Sequence, residues 1–222
     1  MNEIFKKYKY VPQFFVLTFF TIITCYKITN SSLWYDETVE YWYSKILIGE
    51  VPFEHTRNMY ERIISTFQPP LYNFLMYFWL KVSSSVWWFR FFGVICGLIG
   101  INYLYKTIEL TINSIIAVIA VIFATFTYQL VYYWQEASEY CLLLMCAFAC
   151  IYYWWKVQKG YNKRDIILFT IWSVLAMYSQ YGAVFIVIPL ALSLMVVLYK
   201  DRKILIKSTI ITYIIALIAF RN

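Results

Sequence analysis

The sequence predicts an all-α protein that crosses a membrane about seven times. Of its 222 residues, 62% are hydrophobic and only 14% are charged. Soluble domains lie nearer half apolar and a quarter charged. Several apolar runs also reach the roughly 20 residues that a bilayer-spanning helix needs. Aromatic residues make up 22% of the chain, and many flank these runs as an interfacial belt would. In such a protein a net charge of +7 reports orientation, so no nucleic-acid partner is expected.

The spans are expected at about residues 10–28, 88–106, 112–133, 138–156, 166–180, 181–199 and 204–220. The first has no small-residue cleavage site and reads as a retained helix, not a signal peptide. The pair 166–180 and 181–199 is short and should form a hairpin turning near Ser179–Gly182. The run "PPLYNFLMYFWLK", residues 69–81, has about 10 apolar residues, the length of an interfacial helix.

Charge arranges these pieces. Lys6, Lys7 and Lys9 precede the first span and place the N-terminus in the cytoplasm. If residues 69–81 lie flat in the outer leaflet, the basic loops 156–165 and 200–207 fall inside. The segment 133–139, without Lys or Arg, then falls outside. If 69–81 crossed, all three would violate the positive-inside rule. The chain reads as one membrane domain, residues 1–222, with an external segment of surface-lying helices over 27–87. Residues 27–69 hold six acids against four bases and the single histidine, His55. A loop that long and ordered usually carries a function.

Asp36 and Glu37 follow the first span directly. "DETVEYWYSKILIGE" reads as an amphipathic helix with Val39, Trp42, Tyr43 and Ile46 on one face. Asp36 fits its N-cap and Glu37 its first turn, where negative charge is favoured. The same pair also fits a general base with a second carboxylate beside it at the membrane surface. Arg90 sits inside "VWWFRFFGVICGLIG". An arginine in a span is costly and either serves a function or snorkels to the interface. Glu136 and Glu139 lie in "YYWQEASEY", either as a solvated turn or as part of a cavity shared with Asp36. The five cysteines lie in apolar segments with no CxxC and no nearby His, the pattern of small buried hydrophobes.

In order, Trp34-Tyr35-Asp36-Glu37, Gln68-Pro69-Pro70-Leu71-Tyr72, Arg90 and Trp134-Gln135-Glu136-Ala137-Ser138-Glu139-Tyr140 resemble the membrane module of GT-C glycosyltransferases. That superfamily includes the protein O-mannosyltransferases and the lipid A aminoarabinose transferases. The resemblance spans roughly residues 5–200. It implies a sugar donor linked to polyprenyl phosphate, an acceptor outside the cytoplasm (glycan, lipid or protein) and inversion at the anomeric carbon. It makes Asp36 the base. Glu37 would orient the acceptor or help hold a divalent cation, the one cofactor expected. Arg90 would offset charge on the departing phosphate, and Gln68, Tyr72, Glu136 and Tyr140 would contact substrate. The implied location is the plasma membrane of a bacterium, with the site facing outside.

The chain departs from the family pattern at Gln68, Ser138 and Gln180, where His, Arg and His are common. From its length it is also expected to lack the C-terminal part usual in the family. These departures favour the alternative of an inactive relative or a partner subunit that binds polyprenyl lipid. A small transporter is the third reading. Against it, only Pro189 interrupts a span, and no charged pair lies mid-membrane.

Overall fold

The computed structural model describes residues 10–26, 28–30, 32–52, 68–160 and 162–197. His55, the N-terminal lysines, the basic loop at 200–207 and the span expected at 204–220 lie outside the described residues. All regular elements among the described residues are helical.

α1 (Val11–Cys25) begins with its Pro in the first turn, where the missing N–H costs nothing. α2 (Tyr35–Ile48) forms where the amphipathic pattern predicted it and ends at Gly49, whose φ of 83° is the left-handed conformation glycine accepts most easily. Two expectations for α2 need correction. Its N-cap is Trp34, so Asp36 and Glu37 both lie in the first turn and Asp36 does not cap the helix. Its buried face is also not the apolar one. Glu37, Ser44 and Leu47 turn inward, while Val39 and Trp42 are about half exposed. The reason is an ion pair made by Glu37, described below.

α3 (Leu71–Leu80) is the ten-residue helix expected after Pro69-Pro70. It is joined to α4 (Val86–Thr111) by a reciprocal tryptophan clasp. Trp79 and Trp88 stack with ring centroids 4.2 Å apart. The indole N–H of Trp79 donates to the Trp88 carbonyl at 2.8 Å, and that of Trp88 to the Trp79 carbonyl at 2.9 Å. The Ser85 hydroxyl caps α4 by accepting from the Trp88 N–H.

α4 and α7 (Glu139–Lys159) are long and apolar enough to cross a membrane. The pair α5 (Ser114–Phe126) and α6 (Tyr128–Gln135) makes a third span if counted as one. The continuous span expected over 112–133 is therefore broken: the chain bends by 70° at Thr127. The Thr125 and Thr127 hydroxyls donate to the carbonyls of Val121 and Phe123, back-bonding that bends helices. Beyond the bend Trp134 is fully buried, edge-on to Phe20 of α1 and against Gly97 of α4. α8 (Lys163–Ser179) and α9 (Val184–Val197) follow, with the expected turn between them at Gln180 and a short 3-10 segment at Tyr181–Ala183. α1 and the segment Tyr181–Val196 are apolar but shorter than a span. The described residues are thus all-helical in their regular elements, with two to three apolar spans.

α4 is the central element. It packs most extensively on α7 and also touches α1, α3, α5 and α6, while α8 covers the other side of α7. At Gly93 the backbone of α4 approaches the 134–136 segment closely. A Cβ there would lie 2.7 Å from the Trp134 carbonyl and 3.1 Å from that of Glu136. This contact sets the position of the 136–139 turn beside the start of α2.

Candidate active site

The site forms where the first turn of α2 meets the turn at 136–139. Two neighbours on one helix turn, Asp36 and Glu37, point into two different cavities.

Glu37 is the paired member. Arg90 Nε donates to its Oε1 at 2.6 Å and Nη2 to its Oε2 at 2.7 Å. Arg90 Nη1 donates to the Ile28 carbonyl at 2.7 Å and Nη2 to the Ser32 carbonyl at 3.3 Å. The Ala137 N–H adds a longer bond, 3.3 Å, to Glu37 Oε1. Arg90 and Glu37 are 3% and 2% exposed, so Arg90 does not snorkel. The pair fastens α2, the chain after α1, α4 and the 136–139 turn to one another. Bidentate pairing of this kind fixes geometry as well as charge.

The smaller cavity, about 130 Å³, is lined by Glu37, Arg90 and Glu136 with Trp34, Tyr132 and Gln135 among others. Glu136 is 4% exposed, and neither carboxyl oxygen reaches hydrogen-bond geometry with a described group. Burial, reinforced by the Glu37 charge, pushes its pKa up to about 7, although the nearby Trp34 indole and Ser138 hydroxyl oppose part of that rise.

The larger cavity, about 320 Å³, is lined by Tyr35, Asp36, Val39, Glu40, Gln68, Ser138, Glu139 and Tyr140. Asp36 is exposed and makes no hydrogen bond or ion pair among the described residues. Glu40 lies one helical turn beyond it. Burial first, then the charges of Glu139 and Asp36, push Glu40 up to about 7. No lysine or arginine is among the described lining residues.

Of the residues expected to act together, Asp36, Gln68 and Tyr140 share the larger cavity, while Glu37, Arg90 and Glu136 share the smaller one. Tyr72 is 2% exposed and lines neither. Of Glu136 and Glu139, which one reading of the sequence placed together in a cavity with Asp36, Glu139 lines that cavity and Glu136 lines the smaller one. Sequence reasoning missed Glu40 as a site residue. Its i+4 spacing from Asp36 was the available signal. Among the described residues no group of three or more His, Cys, Asp or Glu side chains is placed to hold a metal ion. Glu37, expected to orient the acceptor or help hold a divalent cation, is paired with Arg90.

A family model described as dolichyl-phosphate-mannose-protein mannosyltransferase matches residues 67–221. No curated protein and no solved structure matches the chain.

Proposed function

The chain belongs to the dolichyl-phosphate-mannose-protein mannosyltransferase family, within the GT-C glycosyltransferases, and from that premise we propose that it moves a sugar from a polyprenyl-phosphate donor to an acceptor outside the cytoplasm, with Asp36 as general base. Its all-helical fold and apolar spans suit a membrane enzyme. The remaining parts of this reading are about seven crossings in a single domain, a cytoplasmic N-terminus and a bacterial plasma membrane.

The observation that carries it is the separation of two adjacent carboxylates. Glu37 is locked to Arg90, while Asp36 faces an open cavity with no partner among the described residues. The acceptor hydroxyl gives its proton to Asp36 as its oxygen attacks the anomeric carbon. The bond from that carbon to the phosphate oxygen breaks, and the phosphate leaves with the electron pair. One such displacement inverts the carbon. Positioned proton transfer of this kind contributes about 10²–10⁴ in rate. Gln68 and Tyr140 contact the acceptor from the same cavity. Arg90 is a positioning residue in this reading: it sets the first turn of α2 through Glu37, and Tyr72 and Glu136 support the site from behind. No step is routed through a metal ion.

The test is transfer from a labelled polyprenyl-phosphate sugar in membranes, comparing the wild type with Asp36→Asn. A fall of about 10²–10⁴ in a folded, inserted variant supports the base. Equal transfer by the two proteins removes Asp36 from that role. A wild type inert with every donor tried, divalent cation included, identifies an inactive relative or a lipid-binding subunit.

A further inference from the structure

The surface of the chain changes character at the 70° bend. Before it, the exposed side chains of α5 include Ile115, Ile119, Phe123 and Phe126, a hydrocarbon face suited to lipid. After it, α6 exposes Tyr128 and Tyr133. These two rings belong to a continuous aromatic track. Tyr128 stacks on Tyr132, one helical turn on, with centroids 5.8 Å apart. Tyr132 meets Tyr133 at 5.6 Å, and Tyr133 meets Tyr140 across the 136–139 turn at 5.5 Å. Trp34 joins from the start of α2, 6.3 Å from Tyr132. The inner end of the track enters the candidate site. Tyr140 lines the larger cavity with Asp36, and Trp34 and Tyr132 line the smaller one. At the outer end Tyr128 is 78% exposed.

Each member of the track joins a flat apolar face to a polar tip, a hydroxyl or an indole N–H. A sugar ring matches both parts. The C–H groups on its face carry slight positive charge and settle on the negative face of an aromatic ring, while the hydroxyls on its rim bond to polar tips. A hydrocarbon chain would use only the faces, and side chains like those exposed on α5 serve it as well. Tyrosines of an interfacial belt have the same two-sided character. Here, however, the rings touch one another along a single path, and that path opens on the candidate base. This continuity with the Asp36 cavity selects the occupant. If Asp36 is the base, the hydroxyl in its cavity belongs to the acceptor, and what continues from there onto the track is the rest of the acceptor. We propose that the acceptor is an extended glycan whose further sugar units stack on Tyr133, Tyr132 and Tyr128, outward from Tyr140. This proposal rests on the assignment of Asp36 as base.

The probes are mannohexaose, cellohexaose and chitohexaose, each titrated beside its own monosaccharide into the full chain in detergent. At least one hexaose should bind about tenfold or more tightly than its monosaccharide. Tyr128→Ala and Tyr133→Ala should each cut that gain by about threefold or more, as expected for the loss of one stacked ring. Tyr128→Phe, which keeps the aromatic face, should retain most of it. Phe123→Ala, on the exposed face before the bend, should leave it unchanged. No gain with chain length for any of the three glycans overturns the proposal. So does a gain that survives both alanine variants. Variants that leave the gain intact but weaken partition into phosphatidylglycerol vesicles identify an interfacial belt only, and also overturn it. The transfer assay with Asp36→Asn separates the two readings. A chain-length gain without Asp36-dependent transfer removes the base and keeps the glycan track. Asp36-dependent transfer without the gain removes only the track.

Discussion

Arg90 and Glu37 are 53 positions apart and meet in a buried bidentate ion pair, with both nitrogen–oxygen distances under 2.8 Å. The pair turns a helix that would bury Val39 and Trp42 so that it buries a carboxylate instead. That rotation carries Asp36 into the larger cavity.

Breaking the pair should cost more than deleting it. Glu37→Gln or Arg90→Met leaves one buried charge uncompensated and should destabilise the protein by about 3–5 kcal/mol. The double variant Glu37→Leu/Arg90→Met should lose less than the sum of the singles. Thermal unfolding in detergent reads this out. Additive losses would show that the two side chains do not act on each other.

Glu136 should make stability fall as pH rises. Its folded-state pKa is raised to about 7 from an ordinary 4.5, so the folded protein keeps a proton that the unfolded chain has released. Stability should decline between about pH 4.5 and 7 and level off above. Glu40 contributes with the same sign. Glu136→Gln should raise the melting temperature above pH 7 and leave it unchanged below about pH 4.5. An equal shift at both pH values would rule out titration as the cause.

Gly93→Ala should disturb the site without touching a catalytic group. Its new Cβ would meet two backbone carbonyls of the 134–136 segment, which cannot rotate away as a side chain could. Overpacking of this kind costs about 1–3 kcal/mol, and the displaced 136–139 turn should lower transfer further. Gly160→Ala is the control, because its Cβ meets nothing within 4 Å. Similar melting temperatures for the two variants would show that the helix gives way instead.

Trp79→Phe keeps an aromatic ring against Trp88 but removes the N–H that reaches the Trp88 carbonyl. The expected loss is about 0.5–1.5 kcal/mol. Trp79→Ala, which also removes the stack, should cost at least twice as much. Comparable losses would assign the clasp to the hydrogen bond alone.

The sequence by itself determined the helical membrane character, the presence of α2, the start of α3, the turn near Gln180 and the family. Each rests on a local signal: apolar run length, helical spacing, Pro-Pro, or short motifs in order. Tertiary structure alone decided which face of α2 turns inward and which acids share a cavity. Periodicity favoured the Val39 and Trp42 face. It lost because a buried Arg90 needs a carboxylate, and Glu37 supplies it. The 70° bend at Thr127 was equally hidden, since hydropathy continues across it and only packing of Trp134 against α1 and α4 reveals the turn. Composition and spacing act along the chain. The division of Asp36 from Glu37, and of Glu139 from Glu136, is made by contacts between segments about 50 to 100 residues apart, where no local pattern can record them.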